Sequence, residues 1–146
     1  MKSVPEFKIL DQSYITDISQ LVLQLNHEIS LPEIETYLIQ MFSYNTYQCF
    51  GLFFDDQLIG VSSGWITLRF YSGKQLEVDN VVIHEAHRSS GYGALFFKHI
   101  EKWAKDYGCK SVELNTYVHN PKSHKFYFNI DYKIIGYHFE KKVTEY

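Results

Sequence analysis

Between Ser13 and Leu25 the apolar residues Ile15, Ile18, Leu21, Val22 and Leu25 recur at the spacing of one buried helix face. Ahead of them, Phe7 to Leu10 reads as a short extended segment. Ser30-Leu31-Pro32-Glu33 combines a capping serine, a first-turn proline and a glutamate three residues after the cap, so a second helix is predicted to about Phe42. Its buried face would use Ile34, Tyr37, Leu38 and Met41. From Tyr47 the pattern turns to β. Cys49 to Phe54, a turn at Asp55-Asp56, and Leu58 onwards to Tyr71 predict two antiparallel strands. Ser72-Gly73-Lys74 turns the chain again into Gln75 to Ile83, whose Leu76, Val78, Val81, Val82 and Ile83 mark a largely buried strand at the expected centre of the sheet. Helical spacing returns from Gly93 to Tyr107, with Gly108 where a C-cap glycine is favoured. A strand from Ser111 to Tyr117, a short helix opening at Asn120-Pro121 and a last strand from Tyr132 to Lys141 complete an order of β-α-α-β-β-β-α-β-α-β. No internal repeat, linker or low-complexity segment interrupts it.

The 146 residues are expected to form one domain, enough for a continuous core without disulfides or metal. Hydrophobic residues at 45% against charged residues at 21% are the balance of a packed globule. A formal net charge of -3 leaves no broad basic surface for a phosphate backbone, so nucleic acid is a poor first guess as partner. Cys49 and Cys109 form no C-x-x-C pair, which fits a reducing, cytoplasmic setting with two free, buried thiols. No signal-peptide stretch opens the chain and no segment approaches the roughly 18 apolar residues of a membrane span, so a soluble, unprocessed protein is expected.

The chemistry concentrates between Val81 and Ala94. An apolar strand, Val81-Val82-Ile83, runs through a turn containing Gly91 and Gly93 directly into a helix. The first N–H groups of such a helix lack intrahelical acceptors and point outward as anion donors. The two glycines let backbone approach an anion, and Arg88 sets a positive charge beside it. A G-x-G alone also serves as an ordinary turn. Neither the third glycine of a dinucleotide fingerprint nor the Gly-Lys-Ser/Thr of a P-loop is present.

An apolar strand ending in a small aliphatic residue, then four residues, then Q/R-x-x-G-x-G/A opening a long helix is the signature of the GCN5-related N-acetyltransferase (GNAT) superfamily. Ile83 followed by Arg88-Ser89-Ser90-Gly91-Tyr92-Gly93 resembles it position for position. Asn120-Pro121-Lys122-Ser123-His124-Lys125-Phe126-Tyr127 is similar to a second family feature, an Asn leading into a short helix with Phe-Tyr. Asp131-Tyr132 stands where the family has Gly then Phe, and Ser89 and Ser90 stand where Gly or Lys is common.

The resemblance implies an α/β (α+β) fold: a mixed, mostly antiparallel sheet of about six strands with a splayed parallel pair, flanked by about four helices. It implies acetyl-CoA as co-substrate and transfer of acetyl to a primary amine by direct attack in a ternary complex. Pyrophosphate would lie on Arg88, Ser89, Ser90, Gly91, Tyr92, Gly93 and Ala94, and pantetheine would bond like an added strand to backbone around Val81, Val82 and Ile83. Asn120 would anchor the pantetheine arm or simply cap the short helix. An amine with pKa near 10.4 needs about 4–5 kcal/mol to lose its proton at pH 7, so a base is expected. Glu77 and Asp79, two residues apart on one strand face, both answer to catalytic carboxylates in family members, and either could instead bind the substrate cation. Tyr127 falls where the family places a phenol beside the departing sulfur.

Other signals are weaker. His84, His87, His119 and His124 show no metal-ligand spacing, so no metal is expected. Acceptor choice is expected in the first two helices, the loop at Asn26-His27-Glu28 and the strand end from Trp65 to Tyr71; a small-molecule amine is favoured. A protein lysine or N-terminal acetyltransferase and a non-catalytic acyl-CoA-binding regulator stay open as alternatives. Because dimers are frequent in the similar family, a homodimer also comes into view.

Overall fold

Five strands among the described residues, 4–144, pair in the order β1-β2-β3-β4-β5. They are β1 (Glu6–Ile9), β2 (Tyr47–Phe54), β3 (Gln57–Arg69), β4 (Gly73–Ile83) and β5 (Ser111–Leu114). The first three pairings are antiparallel, and β4 with β5 is the parallel pair. Four α-helices accompany the sheet: α1 (Ile15–Leu25), α2 (Leu31–Phe42), α3 (Tyr92–Asp106) and α4 (Pro121–Asn129). The chain divides into two compact units after Leu114, the sheet with α1 to α3 forming the first.

Period-two alternation gives the sheet two apolar faces. On one, Ile18 and Leu21 of α1 and Ile34 and Leu38 of α2 pack with Tyr47, Cys49, Phe53, Val61 and Val82. On the other, Phe96, Phe97, Ile100 and Ala104 of α3 are buried, with Trp103 edge-on to Phe50 at 5.0 Å. Ser30 caps α2 as its sequence predicts, accepting the Glu33 N–H at 3.3 Å. Tyr37, expected on the buried face of α2, is exposed instead, because Ile34 and Leu38 already define the contact stripe and Tyr37 lies beyond its edge.

Polar groups on the α1–α2 face are few. Tyr47 Oη and Ser63 Oγ hydrogen-bond at 2.7 Å beside Cys49. Burial pushes the Cys49 thiol up to about 12 and the Tyr47 phenol higher still, so both stay protonated. Cys49 and Cys109 are free thiols; Cys49 is buried and Cys109 half-buried. No described helix is long and apolar enough to cross a membrane.

In the second unit, the Asn120 side chain accepts the Ser123 N–H at 3.3 Å and caps α4, and Pro121 occupies its first turn. Asp131, standing where the family has glycine, takes φ 69°, the left-handed backbone that glycine would adopt freely. Within the described residues of the second unit no strand is assigned at the expected Tyr132 to Lys141, since a strand is defined by its ladder and the segment finds no partner inside that unit, and β5 stops at Leu114 rather than Tyr117.

Candidate active site

Opposite Ser62 of β3, β4 carries two residues instead of one. Val61 pairs with Val82 and Ser63 with Asp79, so Asn80 and Val81 together face a single partner, a β-bulge. Asn80 sits at φ 52°, and Asp79 Oδ1 accepts the Asn80 N–H at 2.8 Å, holding the bulge closed. Pure alternation would send Val82 to the face opposite Asp79. The extra residue returns it to the same face, while Glu77 and Asp79 stand across from Trp65 and Ser63.

The parallel ladder of β4 with β5 runs from Gln75 and Ser111 to Val78 and Leu114, then ends. Among the described residues, β4 therefore continues from Asp79 to Ile83 beyond the end of its ladder with β5. An extended chain with amide groups could be accommodated along that edge. Of the two carboxylates, Glu77 is half-buried and lies 3.6 Å from the Arg69 guanidinium, while exposed Asp79 is engaged with Asn80.

Past Ile83 the chain builds a turn of donors. The His84 N–H reaches Ile59 O at 2.6 Å on the β3 side, so the Ile83 carbonyl of the same peptide points away from β3. There Arg88 Nε donates to it at 3.0 Å. A short 3-10 turn, Glu85–His87, is fixed by His84 Nδ1 accepting the Ala86 N–H and by Gln24 Oε1 of α1 accepting the Glu85 N–H, each at 3.1 Å.

Ser89 (φ 63°) and Gly91 (φ 80°) are both left-handed, which folds the backbone into an N–H-lined concavity. A Cβ on Gly91 would meet nothing within 4 Å, so its backbone angle is what calls for glycine there. Gly91 is the N-cap of α3 and offers no side-chain cap; the first intrahelical bond is Leu95 N–H to Gly91 O. The N–H groups of Tyr92, Gly93 and Ala94 precede it and have no acceptor inside the helix. Together with the exposed Arg88 guanidinium and the Ser89 and Ser90 hydroxyls, this is a donor set that fits a diphosphate.

The first unit thus brings together Glu77, Asp79, Val81, Val82, Ile83 and the run from Arg88 to Ala94. Asn120 and Tyr127 belong to the second unit. Burial raises the half-buried Tyr127 phenol to about 12, and the Tyr127 carbonyl accepts the Ile130 and Tyr132 N–H groups at 3.2 and 2.9 Å. Among the described residues no cluster of three or more His, Cys, Asp or Glu is arranged to hold a metal ion. Sequence reasoning missed Asn80 and Gln24. An Asn at a strand's polar break was a weak signal for the first, and nothing local marked the second.

A parallel ladder that ends beside a bulge, followed by a donor-lined turn into a helix, is an arrangement suited to an extended ligand that carries a diphosphate. The sequence model of the acetyltransferase (GNAT) family matches residues 15–129, and the chain belongs to that family. It is 25% identical to the uncharacterised N-acetyltransferase YhdJ of Bacillus subtilis (strain 168), over 76% of this chain and 81% of that protein. In fold it resembles the aminoglycoside N-acetyltransferase AAC(6')-Iy in complex with CoA, at TM-score 0.86 and 14% identity over 98% and 97% of the two chains. A ribosomal-protein-alanine N-acetyltransferase from Brucella melitensis gives TM-score 0.81 and 14% identity over 95% and 99%. Those two solved structures carry names with very different acceptors, so likeness of fold does not select one.

Proposed function

We propose that this protein moves an acetyl group from acetyl-CoA to a primary amine of a small molecule, in the cytoplasm, by direct attack within a ternary complex. The observation that carries the reading is the junction of the β4 segment beyond its β5 ladder, from Asp79 to Ile83, with the start of α3, which has no side-chain cap. Bound there, acetyl-CoA would supply an activated acyl carbon. The turn from Arg88 to Ala94 holds the diphosphate by backbone donors and charge, and the backbone of Val81, Val82 and Ile83 orients the pantetheine amides. With the Ile83 carbonyl already taken by Arg88, pantetheine depends on the remaining groups of that edge. Asn120 caps α4, which carries Tyr127.

Glu77 or Asp79, directly or through a water, takes the proton that the ammonium must lose before nitrogen attacks. A C–N bond forms as the C–S bond breaks, and the phenol of Tyr127 donates a hydrogen bond to the sulfur as it gains charge. A thiol-release screen with acetyl-CoA over small amines, aminoglycosides and peptides tests the whole reading. Release with a small amine is expected; heat of CoA binding without release from any amine would mark a regulator, and absence of both would end the proposal. Replacing Glu77 by Gln and Asp79 by Asn should lower turnover chiefly at low pH, where the amine is charged. If both variants keep the wild-type pH–rate profile, neither carboxylate is the base.

A further inference from the structure

Trp65 of β3 is half-buried, and its ring is held between two others. Tyr47 lies against it at 4.9 Å between centroids, and Tyr44, just past the end of α2, meets it edge-on at 6.0 Å. Phe42 braces Tyr47 in turn at 5.2 Å. Across the β3–β4 ladder Trp65 stands opposite Glu77, as Ser63 stands opposite Asp79. Residues opposite one another in an antiparallel pair share a sheet face, so Trp65 belongs to the face that carries both carboxylates. It packs at the margin of the cluster built there with α1 and α2. A ring that its neighbours already fix loses little freedom when a ligand stacks on it.

We infer that Trp65 is the platform for the acceptor, and that the acceptor is a monoamine whose nitrogen is joined through two or three carbons to a flat apolar group, an assignment that rests on the acetyl-transfer reading and narrows its amine. In that reading the thioester lies beside Val81 to Ile83, so Asp79 is the nearer carboxylate and the nitrogen attacks from its level. Two residues along a strand span about 7 Å, which puts Glu77 and Trp65 one such step further from the acetyl group. A short carbon link carries a ring over that distance.

Charge and polarity on this level disfavour the other acceptor classes. A tryptophan face also attracts cations, which would suit a diamine. The carboxylate opposite it is already matched, however, with the Arg69 guanidinium 3.6 Å from Glu77. A second ammonium would therefore sit beside a positive charge and compete for a paired carboxylate. An aminosugar needs partners for its hydroxyls. The hydroxyls of Tyr47 and Ser63 on this face are buried and hydrogen-bond each other at 2.7 Å. What the level offers is ring surface, and a flat apolar body is what uses it.

The test compares kcat/KM for phenethylamine, butylamine and the diamine putrescine, with acetyl-CoA and the full chain. Phenethylamine is expected to lead each of the others by roughly tenfold or more. In Trp65→Ala the lead over butylamine should shrink to within about threefold, while Trp65→Phe, which keeps a ring, retains most of it. Arg69→Gln should raise putrescine relative to phenethylamine by roughly fivefold. Each readout is a ratio of two amines on one preparation, so a loss of folded protein cancels. A wild-type preference for putrescine or butylamine, or a ring preference that survives Trp65→Ala, overturns the assignment while acetyl transfer stands. A putrescine ratio unmoved by Arg69→Gln overturns its monoamine half. Thiol release with no amine of any class overturns acetyl transfer itself, and the platform with it.

Discussion

Tyr127→Phe is expected to lower kcat by roughly a hundredfold or more, while affinity for CoA stays within about twofold. In the proposed role, removing one oxygen takes away a donor to charge that appears only as the C–S bond breaks, so the ground-state complex should be hardly affected. Burial holds this phenol up to about 12, well above an ordinary tyrosine and further still above a thiol. Full proton transfer from it to a thiolate is therefore uphill, which favours a hydrogen bond over general-acid catalysis. The hydroxyl keeps its proton throughout the neutral range, so its removal should leave the alkaline limb of the pH–rate profile where it was. Steady-state kinetics and a CoA titration on the same preparation check both halves. An unchanged kcat would remove Tyr127 from the chemistry.

Phe96→Ala is expected to destabilise the fold by about 3–5 kcal/mol, measured by denaturant titration. Phe96 is fully buried on α3. A Cβ at Gly60 of β3 would lie 3.5 Å from the Phe96 ring and 2.9 Å from the Ile83 side chain, so ring and isoleucine close over that glycine together. Phe7 of β1 adds an edge contact at 6.1 Å between centroids. The ring thereby ties the beginning of α3 to the end of β4, the two elements that flank the turn proposed to hold the diphosphate. CoA affinity should fall along with stability. A loss under about 1 kcal/mol would mean that α3 is anchored elsewhere.

Both residues were visible in the sequence, for different reasons. Phe96 belongs to the Leu95, Phe96, Ile100, Trp103, Ala104 spacing that announces α3, and one-dimensional periodicity suffices for a helix that buries one stripe. Tyr127 was legible only as part of a family motif, since nothing in its own neighbourhood distinguishes it from a core tyrosine. The capping serine of α2 and the left-handed Gly91 were readable because their causes are local.

The bulge at Asn80 was not readable, because it is a property of the register between two strands. At Tyr132 to Lys141, where no strand is assigned within the second unit, alternation shows only that a segment could sit half-buried in a sheet and does not name its partner. Tyr37 shows the limit on helices, where a residue one position off the contact stripe is spaced correctly and still faces water.

Arg88 grips the Ile83 carbonyl with its Nε and leaves the far end of the guanidinium outward. A long cationic side chain free in solvent would have to surrender rotamer freedom on meeting its anion, and here folding has already imposed much of that order. Encounter with a diphosphate should accordingly carry a smaller entropic penalty than a lysine at the same place would impose, since an ammonium has no second nitrogen with which to brace itself.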